Sequence, residues 1–232
     1  MNKNSNNTLA IGIFALAIAT LAIVFSYFYL LSYSKPSKII SIHPSYPANF
    51  SDNRILMGAS HNVFFGKVIA QMSNKDFVGH PATQFSVEVI ENIKGDLKDS
   101  VVINQEGGEK NGVLYLMEDS IGMLQPGSTY LLSTRYDTEG DYYTLNPHEN
   151  ASKLLSTDAN LDKKELKALV DKNTKVKSLE AAYPDEKLLE ADIAHGNTHN
   201  SFQSLPADKK AVAQSRADAA RVSLETQATG VQ

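Results

Sequence analysis

Phe85-Ser86-Val87-Glu88-Val89 alternates apolar and polar residues without a break. That is the two-residue period of a strand with one face buried and one face wet. It places Phe85, Val87 and Val89 inward, and Ser86 and Glu88 outward. Ile90 then breaks the alternation, which marks a bend or bulge. Similar short runs recur on either side. Val63-Phe64-Phe65-Gly66-Lys67-Val68-Ile69-Ala70 precedes it, with Gly66 placed for a bulge or a close backbone approach. Lys94-Gly95-Asp96 makes a turn. Val101-Val102-Ile103 follows as a third strand, then Gly107-Gly108, then Val113-Leu114-Tyr115-Leu116-Met117. Pro126-Gly127 suits a type II turn and leads into Thr129-Tyr130-Leu131-Leu132-Ser133-Thr134. Glu139-Gly140-Asp141 turns into Tyr142-Tyr143-Thr144-Leu145. Short strands at this spacing predict a small all-β barrel or sandwich over residues 54–155.

Beyond it the period changes. Asp162-Lys163-Lys164-Glu165 has the form of a capping box, with Leu161 and Leu166 as a hydrophobic staple. Pro184-Asp185-Glu186 opens a second helix, which His195-Gly196 closes. Residues 156–202 therefore form a helical segment. Pro206-Ala207-Asp208 opens a third helix, so residues 203–232 read as an alanine-rich helix and a disordered tail. Its apolar stripe, Val212, Ala219 and Val222, is thin. A helix that buries so little is marginal alone, so this region is expected to be dispensable for the barrel.

Before the barrel, Thr8 to Tyr33 carries no charged residue. About 20 apolar residues suffice to cross a bilayer as a helix. The run ends in bulky residues without a small-residue cleavage site, so it reads as an uncleaved signal anchor. Tyr27, Tyr29 and Tyr33 suit the membrane interface. The layout expected is a short cytoplasmic stub at 1–7, a transmembrane span at 8–33 and an extended linker at 34–53 with Pro36, Pro44 and Pro47. It implies a single-pass protein of the cell membrane with its C-terminal domain extracytoplasmic and the lipid bilayer as a partner. The fold class expected is an all-β, OB-like small barrel with an N-terminal transmembrane helix and a C-terminal α-helical region.

Composition narrows the functions. The net charge is −4 and no basic stretch exceeds a lysine pair, which excludes nucleic acid as a partner. There is no cysteine, so the folded part needs a conventional core.

The β segment also has a recognisable order. Val63–Val68 is followed by Phe85–Val89, Ile93-Lys94-Gly95, Val101–Ile103, Gly107-Gly108, Leu124-Gln125-Pro126-Gly127-Ser128-Thr129-Tyr130-Leu131-Leu132 and Tyr142-Tyr143. It resembles the netrin-like module of tissue inhibitors of metalloproteinases, in the plainer form of bacterial surface proteins. The resemblance implies an OB-fold, a five-stranded Greek-key barrel with a flanking helix. The inhibitory activity does not transfer, because it depends on an N-terminal cysteine that this chain lacks, and fold alone does not give function.

No chemical motif stands out. Asp192, His195 and His199 would share a helix face, but Gly196-Asn197-Thr198 makes a poor helix, so an exposed loop is the stronger reading and no metal site is assigned. Neither G-x-S-x-G nor H-E-x-x-H occurs. Gly107-Gly108 reads as a turn and not as an anion cradle. Glu88 and Glu91 read as a solvated strand face. No catalytic or cofactor-binding residue is assigned, and no cofactor is implied. Tyr130, Tyr136, Tyr142 and Tyr143 are the candidate binding surface, with cross-strand packing as the competing role. The function expected is a membrane-anchored extracytoplasmic binding or interaction module, not an enzyme, whose partner is a protein or an envelope glycan. The alternative is a structural or accessory subunit of a membrane protein complex.

Overall fold

The computed structural model describes Thr20, Val24 and residues 36–77, 79–118 and 120–230. The chain divides into two compact units, Met1–Lys38 and Ile39–Gln232, and the second carries the fold. Its strands are β1 (Lys38–Ile42), β2 (Asn62–Phe77), β3 (His80–Lys94), β4 (Ser100–Glu106), β5 (Gly108–Lys110), β6 (Val113–Met117), β7 (Thr129–Asp137), β8 (Tyr142–Leu145) and β9 (Ser152–Ser156). Its helices are α1 (Asn53–Ala59), α2 (Lys163–Lys172), α3 (Thr174–Ala182), α4 (Glu190–Ala194) and α5 (Ala207–Thr229).

The larger sheet runs β2-β3-β4-β8-β7-β9, and β2 also pairs with β7, which closes five strands into a barrel. All neighbours in the ring are antiparallel except β4 and β8, which run parallel through Ile103↔Tyr143 and Asn104↔Thr144. Phe85, Val87 and Val89 point inside, where they meet Phe64, Ile103 and Leu132. Opposite β2, Glu91 faces Phe65 while Val89 faces Gly66, so Ile90 is the extra residue of a bulge. A Cβ on Gly66 would lie 2.3 Å from Val87 Cγ1, which is why only glycine fits that crossing. The run Val113–Met117 does not join the barrel. It forms β6 in a separate three-stranded sheet of order β1-β6-β5.

The fold is mixed α/β, and this corrects the all-β expectation. The reason lies in two continuous apolar runs. In Val63-Phe64-Phe65, Phe64 fills the barrel, while Val63 and Phe65 join a second core with Leu56, Val176 and Leu179 from the helices. In Tyr130-Leu131-Leu132, Leu131 likewise turns to the helical side. A strand buried on both faces loses its alternation. The barrel therefore has helices packed against its outer wall, and the second core is as much part of the fold as the first.

The helix starts are local. Asp162 accepts from Glu165 N at 2.8 Å, and Glu165 Oε2 accepts from Asp162 N at 2.9 Å, completing the capping box of α2. In the stretch read as a linker, residues 38–42 form β1 and Phe50 is buried. The C-terminal helix packs by a different face from the one its valines suggest. Ala217 and Ala220 are buried, whereas Val212 and Val222 are exposed. Small side chains let α5 approach closely, and Arg221 Nη2 reaches Ala181 O at 2.9 Å beyond the end of the alanine face. The helix thus packs within the folded unit through its alanines.

Among the described residues no helix is long and apolar enough to cross a membrane. The longest, α5, carries Lys209, Lys210, Arg216 and Arg221, and such charges are expensive in a bilayer. The transmembrane signal anchor expected of a single-pass cell-membrane protein is thus not found among the described helices. The stub at 1–7, the stretch 8–33 apart from Thr20 and Val24, and the expected interfacial Tyr27, Tyr29 and Tyr33 lie outside the described residues.

Candidate functional site: a cleft at the barrel mouth

One end of the barrel opens where α1 hands over to β2. Ser60 and His61 lie between them, and the His61 N–H donates to Thr134 O of β7 at 2.9 Å. Asn62 starts β2. The β7–β8 hairpin brings Tyr136 and Tyr143 alongside, with ring centroids 5.1 Å apart. After β3, Gly95 adopts φ +96°, and a Cβ there would sit 2.2 Å from Asn62 Oδ1. Glycine at this position makes room for the asparagine amide. The loop after α4 supplies His199 and Asn200. Together with Asp96 and Leu97 these residues line a cleft of about 210 Å³. Barrel mouths are a common place for a ligand.

Hydrogen bonds fix the orientation of the polar groups. Asn200 Nδ2 donates to His61 O at 2.9 Å and to Asn62 Oδ1 at 3.2 Å. This leaves Asn62 Nδ2 and Asn200 Oδ1 without a protein partner among the described residues. His61 Nδ1 accepts the Tyr136 N–H at 3.0 Å. A neutral imidazole has one donor and one acceptor nitrogen, so the proton sits on Nε2. That Nε2–H is buried and meets no hydrogen-bond acceptor among the described residues.

His61 is held neutral. Burial pushes its pKa down to about 4, and Arg135 and His199 add to the effect while Asp192 opposes it. The sign of the linkage follows. A folded pKa below the unfolded value of 6.5 means that the unfolded chain binds more protons in this window. The stability held with neutral His61 is present above pH 6.5 and is lost as pH falls towards about 4. The full difference corresponds to about 3 kcal/mol. We expect urea melts from pH 7 to pH 4 to show a steeper loss for the native protein than for His61→Gln. Parallel slopes would contradict the assignment. Glu106 and Glu180, whose burial raises their pKa values, act in the opposite sense and are common to both proteins.

Two ion pairs hold the chain segment around the cleft. Arg135 on β7 makes a two-pronged contact with Asp192 on α4, at 2.6 and 2.9 Å, and also donates to Ala59 O at 2.6 Å. Lys94 at the end of β3 donates to Glu186 Oε2 and to Met57 O, each at 2.6 Å. The Lys94 side chain is 0% exposed. Desolvation lowers its pKa, and Glu186 counters that. Glu186 also accepts the Phe202 N–H, which ties down the loop that carries His199 and Asn200.

Of the candidate tyrosines, the structure brings Tyr136 and Tyr143 into the cleft and leaves two elsewhere. Tyr130 is 3% exposed inside the barrel, where its hydroxyl accepts from Gln125 N at 3.1 Å. Tyr142 lies under Lys75 Nζ, 5.0 Å from its ring centre, and does not line the cleft. The Asp192, His195 and His199 set does not converge. Asp192 binds Arg135, His195 Nδ1 lies 2.7 Å from Ala191 O, and the His199 ring stands 5.1 Å from that of His61. Gly107, at φ +106°, links β4 to β5, Gly108 opens β5 at φ +127°, and Thr83 Oγ1 donates to Gly107 O. His61, Asn62 and Asn200 escaped the sequence reading because nothing in their spacing links residues this far apart. The chain matches no known protein family and no curated protein.

Proposed function

We propose that this chain is a non-catalytic binding module whose barrel is netrin-like and whose ligand site is the mouth cleft. The support for the netrin-like reading is the order of pairing. The first barrel strand, β2, pairs with the second and the fourth, and the third and fifth run parallel. The support for a binding role is one observation, the buried and unpartnered Nε2–H of His61 in a cleft walled by tyrosine and asparagine. A buried donor without an acceptor is unfavourable, and a ligand acceptor would satisfy it.

Several groups around the cleft are engaged in holding the fold. With Nδ1 occupied and Nε2 protonated, His61 has no free lone pair to act as a base or to bind a metal. Asp192 and Glu186 are each engaged by a cation. The His199 ring stands 5.1 Å from that of His61, and the asparagine amides and tyrosine rings orient and hold. The test is a panel of neutral and charged small molecules added to the labelled full chain, read by amide chemical shifts. The expected result is saturable shifts at Asn62, Tyr136, Tyr143 and Asn200 with the ligand recovered unchanged. Binding that maps to another face, or turnover of the ligand, would overturn the reading.

A further inference from the structure

The mouth cleft is lined by polar groups of complementary type with one formal charge among them. His61 Nε2–H and Asn62 Nδ2 are donors, and Asn200 Oδ1 is an acceptor, all three without a protein partner among the described residues. Asp96 is the single formally charged lining residue, and Lys209 holds it at 2.7 Å. The nearby cations Arg135 and Lys94 are engaged by Asp192 and Glu186. An anionic ligand would find a carboxylate and, among the described residues, no free lysine or arginine. A cationic ligand would face the His61 donor, which cannot turn because Tyr136 N–H fixes the other ring nitrogen. A neutral ligand avoids both conflicts. The tyrosine rings at one wall ask for an apolar face on the same ligand, and the mixed donors and acceptors ask for groups that both give and receive hydrogen bonds. Hydroxyls do both. A sugar ring carries hydroxyls at its edge and C–H bonds on its face.

We propose that the mouth cleft takes a neutral saccharide, its hydroxyls paired with His61, Asn62 and Asn200 and its apolar face on Tyr136 and Tyr143. This rests on the reading of the cleft as the ligand site and names the class of ligand. The hydroxyl oxygen nearest His61 accepts the Nε2–H, and neighbouring hydroxyls bridge the two amides.

The experiment is calorimetric titration of the full chain near neutral pH with defined probes, with the amide chemical shifts of the labelled chain recorded for each. Chitotriose and maltotriose are the neutral sugars. A sulfated heparin tetrasaccharide, choline and an uncharged Gly-Ser hexapeptide are the competitors. We expect at least one neutral sugar to bind at least tenfold more tightly than any competitor. Tyr136→Leu should weaken it at least tenfold with the melting temperature unchanged, since this ring is half-buried and its hydroxyl meets only exposed Asp141. Lys110→Ala, remote on β5 and paired with Asp76, should change nothing. If a competitor binds best and shifts the cleft amides, the saccharide assignment is wrong while the site stands. If no probe shifts those amides, or if sugar binding is untouched by Tyr136→Leu, the saccharide assignment is wrong; in the former case the site falls with it.

Discussion

Replacing Glu186 with alanine is expected to destabilise the protein by about 3–5 kcal/mol, the usual loss when one partner of a buried ion pair is removed. The Lys94 ammonium is 0% exposed, with Glu186 Oε2 and Met57 O each at 2.6 Å and the Tyr183 ring at 5.5 Å. Without the carboxylate, one carbonyl and one aromatic face must support a full charge away from water. The same substitution removes the acceptor of the Phe202 N–H and frees the loop that carries His199 and Asn200. Two effects should therefore appear together: a lower urea midpoint and a disturbed cleft. Lys94→Met keeps apolar volume but leaves the Glu186 carboxylate, 4% exposed, without its cation and with the Phe202 N–H to support it, so it should destabilise as well. Combining it with Glu186→Ala should restore part of the loss, since the buried charge is gone. A double-mutant cycle measures this coupling directly. A loss below about 1 kcal/mol for Glu186→Ala would place this pair with exposed ones, whose contributions are small.

The sequence made the barrel legible where one face of a strand is wet. Phe85–Val89 alternates because Glu88 is exposed and Val87 is inside, and the bulge at Ile90 announces itself by breaking the pattern. The capping box at Asp162 is legible for a similar reason, since all its parts lie within four residues. The helical layer on the barrel was hidden in the same apolar runs that were correctly taken as strands. Val63-Phe64-Phe65 shows no period because both of its faces are buried, and hydropathy does not say what buries them. The C-terminal helix misled in the opposite way. Its valines stand in solvent and its alanines pack, so a stripe judged by side-chain size was the wrong stripe. The cleft was half legible. Tyrosines on adjacent strands could be suspected of sharing a surface. His61 and Asn200 meet only through the fold, and the Lys94–Glu186 and Arg135–Asp192 pairs join residues far apart in the chain.

The second large effect is expected inside the barrel. Phe85→Ala should cost about 3–5 kcal/mol, the range for truncating a buried phenylalanine. The ring is 1% exposed and stands beside Ile103 in the β3–β4 register, among Phe64, Val87 and Leu132. Three features keep the space from collapsing. β3 is paired on both sides, with β2 and β4, so its backbone cannot move inward alone. Gly66 already lets β2 approach as closely as Val87 permits. The outer wall of β2 is loaded by the helical core through Val63 and Phe65. Lost transfer energy and a persistent cavity should therefore add. Glu88→Ala is the matched control three residues along the same strand. Its side chain is exposed, and the change should stay within about 0.5 kcal/mol, as at a plain surface site. The comparison is made by urea unfolding of the two full-length variants. Unequal losses in this sense would agree with Phe85 facing the interior and Glu88 facing solvent, whereas equal losses would mean that the register, or the strand itself, is misassigned, and the reverse order would mean that β3 is out of register by one residue with every side chain on the other face.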